Sequence, residues 1–209
     1  MSWKNDPKML ALLRDEQRQA RQAADVFARI CRDGPAEHLY NAHLLLNECA
    51  GDAWRLAMAK VARLPRVSKE IQAAFVPIWI EFKMLPLRVG HRPTLAAALR
   101  VLLPGGHSGR PLELYRGANI HERRRMLYGF SWSTEIATAR LFAEHWSQSM
   151  TGDRDAFQGV VLKTMAPPDA VLLVRQPEKY FDEGEVVVDP FRLGKVEIVE
   201  RIPIATGGD

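Results

Sequence analysis

Cysteine is scarce in this chain. Cys31 and Cys49 are the only cysteines among 209 residues, both in helix-like stretches, with no CxxC spacing and no histidine at metal-ligand distance. A disulfide scaffold is excluded, and two reduced core thiols in a cytoplasmic protein are expected. Long apolar runs are missing too. The longest near the middle, Ala73 to Ile80, is far short of the roughly 20 residues that a membrane span needs, so no membrane role is expected. The opening Met-Ser-Trp-Lys-Asn-Asp-Pro-Lys has no apolar centre of a secretory signal. The expected location is therefore the cytoplasm, or the inside of a target cell reached by another route. The six histidines show neither HExxH nor His-x-x-x-His spacing, so no metal is expected. GxxxxGK and GxGxxG are absent, which removes the common glycine-rich phosphate cradles. No internal repeat or low-complexity segment is present.

What is there is ordinary in amount and uneven in placement. At 47% hydrophobic and 26% charged, the chain can bury a proper core in one large domain or two small ones. The net charge of +4 conceals a split. Residues 1–110 hold 17 Lys and Arg against 10 Asp and Glu; residues 111–209 hold 12 against 15. The basic half suits nucleic acid or an acidic partner. A dispersed solvated surface accounts for it more simply, because the charges form no dense run.

Periodicity divides the chain at the same place. From Pro7 to about Cys31, Leu10, Leu13, Ala20, Ala24, Phe27 and Ile30 recur at helical spacing, and Asp33-Gly34-Pro35 ends the pattern. A second helical region covers Ala36 to Leu64, bent near Ala50-Gly51-Asp52, with Leu39, Leu45, Leu46, Trp54, Met58 and Val61 as its apolar face. Ser68 is placed to cap a third helix through Met84, which Pro77 should kink or divide. Thr94 is placed to cap a fourth, Leu95 to Leu103. From Pro111 short β-rich runs take over: Leu112 to Arg116, Gly129 to Ser133, Gly159 to Met165, Ala170 to Arg175, Glu185 to Asp189 and Lys195 to Ile202. Helical patterns at Ile120 to Leu127 and Thr134 to Ser147 lie between them. The reading is α+β: an all-helical N-terminal domain, 1–110, and a strand-rich domain, 111–209.

Three short pieces in the second domain carry residues suited to chemistry. Alternation puts Leu112, Leu114 and Arg116 on one face of a strand. A guanidinium ending an apolar row either grips a phosphate or ribose, or forms a structural ion pair at the sheet's end. Gly117, just after it, permits close approach to the backbone. In Phe130-Ser131-Trp132-Ser133-Thr134, Ser131 and Ser133 share a face and Trp132 takes the other, which suits a core residue. Ser133 or Thr134 fits an N-cap, whereas Ser131 is free for a sugar hydroxyl or a catalytic carboxylate. In Glu183-Gly184-Glu185, alternation sets two carboxylates on one face with α-carbons about 6.5 Å apart. Paired carboxylates serve glycosidic cleavage, although a polar loop ahead of a strand reads the same way. Arg123-Arg124-Arg125 fits a solvated helix face better than a contact with adenosine or RNA phosphate.

Taken in order, Leu114-Tyr115-Arg116-Gly117, then Phe130-Ser131-Trp132-Ser133 before a helix with Ala139-x-x-Phe142-Ala143, then Glu183-Gly184-Glu185 before an apolar strand resemble the Arg-Ser-Glu class of NAD-dependent mono-ADP-ribosyltransferases. The resemblance covers about residues 111–204 and implies a split β-sheet domain. It implies that NAD is the substrate, that Arg116 braces its diphosphate and ribose, and that the Gly117 backbone holds the nicotinamide amide. Ser131 would position the catalytic glutamate, Glu185 would stabilise the ribose cation, and Glu183 would orient or deprotonate the acceptor. Tyr115, Ser133 and Thr134 would also lie beside NAD, and Tyr180 and Phe181 beside the acceptor. Trp132 stands where many members carry threonine. The implied function is transfer of ADP-ribose to a protein or nucleic-acid acceptor by a toxin, effector or defence enzyme, with an antitoxin or regulatory partner. The rival readings are an NAD glycohydrolase and a non-catalytic interaction module on the same fold.

Overall fold

The computed structural model describes residues 6–49, 51–105, 107, 109–148, 158–175 and 184–203. The chain forms two compact units, Met1–Pro104 and Gly105–Asp209.

The first unit is helical. Helix α1, Pro7–Asp33, starts where the Asp6 side chain accepts from the Lys8 backbone N–H, with proline in its first turn. Only its second half enters the core, through Ala20, Ala23, Ala24, Phe27 and Cys31. Leu10 and Leu13, expected on the buried stripe, are exposed. A 3-10 turn at Ala36–His38 leads into α2, Leu39–Glu48, and α3, Ala53–Val61, follows. Leu39, Leu46, Trp54, Met58 and Val61 are buried as expected; Leu45 is exposed.

Helix α4, Lys69–Glu81, is capped by Ser68, whose hydroxyl accepts from the Ile71 N–H at 3.2 Å. It runs through Pro77 undivided. Both Pro77 and Ala73, the residue whose carbonyl loses its usual helical donor, are exposed, so water can satisfy that carbonyl. The helix stops at Phe82, and a separate short helix, α5 (Leu85–Val89), follows with a left-handed Gly90 at its end. Helix α6 is Arg92–Leu102, and its cap is His91, which accepts from the Thr94 N–H, rather than Thr94 itself.

Trp54 anchors the aromatic core of this unit, with Phe27, Phe82 and His43 within 5.8 Å of it, centroid to centroid. Cys31 lies in the same interior, and burial pushes its thiol up to about 12, which leaves it unreactive. Cys49 is only partly buried. His43 belongs to a directional network. Asn47 Oδ1 accepts from the Trp54 indole N–H at 2.8 Å, so the Asn47 amide N–H donates to His43 Nε2 at 2.9 Å. The imidazole proton therefore sits on Nδ1, which is buried without a hydrogen-bond partner.

Among the described residues the second unit holds six strands: β1 Leu112–Asn119, β2 Ser131–Ser133, β3 Gly159–Ala166, β4 Val171–Val174, β5 Glu185–Val188 and β6 Val196–Arg201. They form one sheet in the order β4-β5-β2-β1-β3-β6, and neighbours are antiparallel throughout. Helices α7, Ile120–Arg125, and α8, Ile136–Gln148, complete it. The architecture is α+β with a helical N-terminal part. One sheet face buries Leu114, Ala118, Trp132, Val160, Leu162, Val186 and Val188, each worth about 1.5–3 kcal/mol for the larger side chains. The other face receives α8 through Ala139 and Ala143 against Val161. The β1–β3 ladder runs through eight paired residues, whereas β1 and β2 meet at Tyr115 and Ser133 alone. The sheet is thus two three-stranded halves joined at one pair. No helix of the described residues is long and apolar enough to cross a membrane.

Burial holds the His43 imidazole below its ordinary 6.5, against an opposing pull from Glu81. The folded state therefore binds the proton less readily than the unfolded chain. Stability is complete above pH ~6.5 and is lost as pH falls below that value. Urea denaturation at pH 7.5 and 5.5 should show this loss in the native chain and a smaller one in His43→Phe; equal losses would remove His43 as its source.

Candidate functional site

The seam between the two halves of the sheet is where polar residues collect. Antiparallel register sets Glu185 of β5 opposite Ser133 of β2, Ser133 opposite Tyr115 of β1, Tyr115 opposite Lys163 of β3, and Lys163 opposite Glu197 of β6. Directly opposed residues share a face. Arg175, one residue past β4, extends the row: its backbone N–H donates to the Glu185 carbonyl at 3.0 Å. One line of side chains, Arg175, Glu185, Ser133, Tyr115, Lys163 and Glu197, therefore crosses the whole sheet on the face that α8 occupies. Ile136, in the first turn of α8, and Tyr115 both pack against the apolar cluster of Ala139, Ala143, Val161 and Ile202.

Each end of the row has its own electrostatics. Glu185 is 7% exposed, and its Oε2 lies 3.5 Å from Arg175 Nη1. Toward the other end, Lys163 Nζ lies 2.7 Å from Glu113 Oε2 and 5.7 Å from the Tyr115 ring centroid, and the Tyr115 hydroxyl donates to Glu113. These contacts hold the Glu113 carboxyl below its usual range, through Lys163 and then Tyr115, and raise the Tyr115 phenol and the Lys163 ammonium through Glu113. Glu197 is held low, chiefly by Lys195. Ser133 Oγ accepts from the Glu135 N–H at 2.8 Å, so it caps the approach to α8. Thr134 is exposed and donates its backbone N–H to the Gly184 carbonyl at 3.0 Å.

The expected site residues fall into three groups. Ser131, Ser133, Tyr115 and Glu185 share a face across neighbouring strands. Arg116 does not join them. Alternation along β1 places it on the side of Leu114, Ala118 and Trp132, where Nη1 donates to the Ser131 carbonyl at 2.8 Å and Nη2 pairs with Glu122 at 3.3 Å. Its guanidinium lies against Gly129, where any side chain would collide with it. Its Nε is buried without a hydrogen-bond partner. Glu183, Tyr180 and Phe181 lie outside the described residues. The alternation argument for a Glu183–Glu185 pair stops at Gly184, whose φ of +56° breaks the strand geometry that it requires. A Cβ there would also meet Thr134 Oγ1 at 2.3 Å.

Two further expectations take on physical detail. Trp132 is a core residue, 2% exposed, edge-on to Tyr128 with its indole N–H on the Gly129 carbonyl. What approaches Gly117 is α8. A Cβ on Gly117 would stand 2.2 Å from the Ala139 carbonyl oxygen and 2.5 Å from the Ala143 nitrogen. Arg124 and Arg125 are exposed on α7, while Arg123 is partly buried.

Sequence reasoning missed Arg175, Lys163 and Glu113. The apolar run Val171 to Val174 ending in Arg175 carried the same signal as Leu112 to Arg116. Glu113 and Tyr115 were detectable as a polar pair at strand spacing. Lys163 had no local mark, because only register brings it to Tyr115. Among the described residues no group of three or more His, Cys, Asp or Glu is arranged to hold a metal.

Gly117→Ala should cost about 3 kcal/mol in urea denaturation, because the new methyl meets helix backbone that cannot rotate aside. A loss below ~0.5 kcal/mol would mean that α8 does not rest on β1 as described. Comparison of the chain with protein-family models, curated proteins and solved structures finds no match.

Proposed function

We propose that this chain is an NAD-dependent mono-ADP-ribosyltransferase, carrying ADP-ribose to a protein or nucleic-acid acceptor as a toxin, effector or defence enzyme. One observation carries the reading: the three motif-bearing strands, β1, β2 and β5, are contiguous in the sheet, with Glu185 opposite Ser133 and Ser133 opposite Tyr115. Residues far apart along the chain are brought to one seam, where a largely buried carboxylate stands beside two serine-bearing positions.

The reaction needs little more than placement and charge. The bond from ribose C1′ to the nicotinamide nitrogen breaks, and its electron pair leaves with nicotinamide, which departs neutral from a cationic ring. No general acid is required. The acceptor nucleophile bonds to C1′ and gives up its proton, to Glu183 where that residue deprotonates the acceptor or else to solvent. Glu185 faces the positive charge that develops on the ribose, the stage at which fixed electrostatics contributes most. Ser133 stands opposite Glu185, Ser131 lies farther along the same face, and Thr134 is tied through its N–H to the carbonyl of Gly184. Arg116 supports the site from the opposite face by holding the Ser131 carbonyl, rather than bracing the diphosphate from the Glu185 side. Glu183, Tyr180 and Phe181 keep the acceptor-side roles that the resemblance gives them.

A second reading has its own support. The Arg116–Glu122 pair is what a purely structural arginine would form, and it fits an interaction module that keeps the fold without catalysis. One experiment separates the two. With labelled NAD and a cell lysate, label should pass to a protease- or nuclease-sensitive acceptor. Glu185→Gln should cut nicotinamide release by about 100-fold with the circular dichroism unchanged. Label found only on free ADP-ribose would assign an NAD glycohydrolase. Release that is absent from the native chain, or unchanged by the substitution, would leave the interaction module.

A further inference from the structure

Glu185 heads a strand whose next three residues, Val186, Val187 and Val188, are fully buried, and it is itself almost enclosed. A carboxylate at the mouth of an apolar core is costly unless its charge is matched. Among the described residues, Arg175 is the only cation paired with it. Two contacts tie these residues together. The main chain of Arg175 donates to the main chain of Glu185 at 3.0 Å, and the guanidinium Nη1 reaches Oε2 at 3.5 Å. The side-chain approach is therefore set by the ladder, one step beyond the pairing of Val174 with Val186. The side chains of Arg175 and Glu185 are 19% and 8% exposed, which limits screening by water. The second carboxylate oxygen, Oε1, makes no hydrogen bond to any described residue.

We propose that Arg175 is the positioning residue for Glu185, holding the carboxylate aimed along the face that it shares with Ser133 and Tyr115. This rests on the reading of Glu185 as the carboxylate that faces the NAD ribose, and deepens it. The geometry divides the carboxylate between two tasks. Oε2 is steered by Arg175, and Oε1 is left for the ribose. Arginine suits this work because its charge is permanent and its planar fork fixes direction as well as sign. The remaining cation on the row, Lys163, is paired with Glu113 across β1 and β3 and serves the other half of the sheet. Because Arg175 acts through Glu185, its loss belongs in turnover and leaves the affinity for NAD nearly intact.

Nicotinamide release by the full chain is to be measured for the native protein and for Arg175→Ala, Arg175→Gln and Arg175→Lys. Arg175→Ala should lower kcat by roughly 10- to 100-fold with KM for NAD within about twofold, and Arg175→Lys should recover much of the loss. If the alanine variant does not fold, folded Arg175→Gln against folded Arg175→Lys makes the same comparison of a neutral with a charged side chain. Native kcat in the neutral variants, or a loss confined to KM, overturns the positioning role and leaves the transferase reading standing. A native chain that releases no nicotinamide overturns both.

Discussion

The structure of the second unit depends on a single backbone pair. Tyr115 and Ser133 alone join the half-sheet β4-β5-β2 to the half-sheet β1-β3-β6, while β1 and β3 are tied by eight pairs. A join that narrow would be weak without help, and two neighbours supply it. Arg116 reaches across to the Ser131 carbonyl, replacing a ladder bond by a charge-assisted one. Gly117 lets α8 rest directly on β1, so the helix that follows β2 also clasps the opposite half. Strand, arginine and glycine thus serve one mechanical task, and the polar row sits where they meet.

The same constraint explains why charged side chains gather at that row. Ala139 and Ala143 of α8 cover the sheet at Gly117, and Tyr115 packs, partly exposed, at the margin of that apolar cluster. Side chains there meet water on one side and apolar β-structure on the other. At the β3 end, Glu113 is exposed and Lys163 and Tyr115 are partly exposed, so water screens their mutual contacts and these contribute little to stability. At the β5 end, Glu185 is enclosed, so its pairing with Arg175 matters more. The row thus runs from an enclosed carboxylate, Glu185, to an exposed one, Glu197, so its two ends differ chemically.

The helical unit contains no comparable concentration of chemistry among its described residues. Its charges are spread along helix surfaces and often neutralised locally, as in Arg18 with Asp15, Arg55 with Asp52 and Lys60 with Asp25. That pattern agrees with the dispersed surface expected from the sequence. Its interior polar network, Trp54 to Asn47 to His43, is oriented by the donor and acceptor character of each group, and it specifies a neutral imidazole in an aromatic core.

Element types and approximate limits were legible in the sequence because they follow from local pattern. Helical spacing, the Asp33-Gly34-Pro35 stop and the Ser68 cap each act within a few residues. Strand alternation likewise put Trp132 in the core and Ser131 with Ser133 on one face. Local pattern failed where the decisive neighbour is remote. Leu10, Leu13 and Leu45 have the spacing of core residues but are exposed, and His91 displaced Thr94 as a cap through a ring nitrogen. Alternation along β1 and β2 also implied that Arg116 and the serines diverge, once register was known. Which strands adjoin, that β1 meets β2 at one pair only, and that Arg175 stands opposite Glu185 were decided by the folded chain alone. Pairing between strands is an interaction between segments distant in sequence, and no residue carries a local mark of the partner it will face.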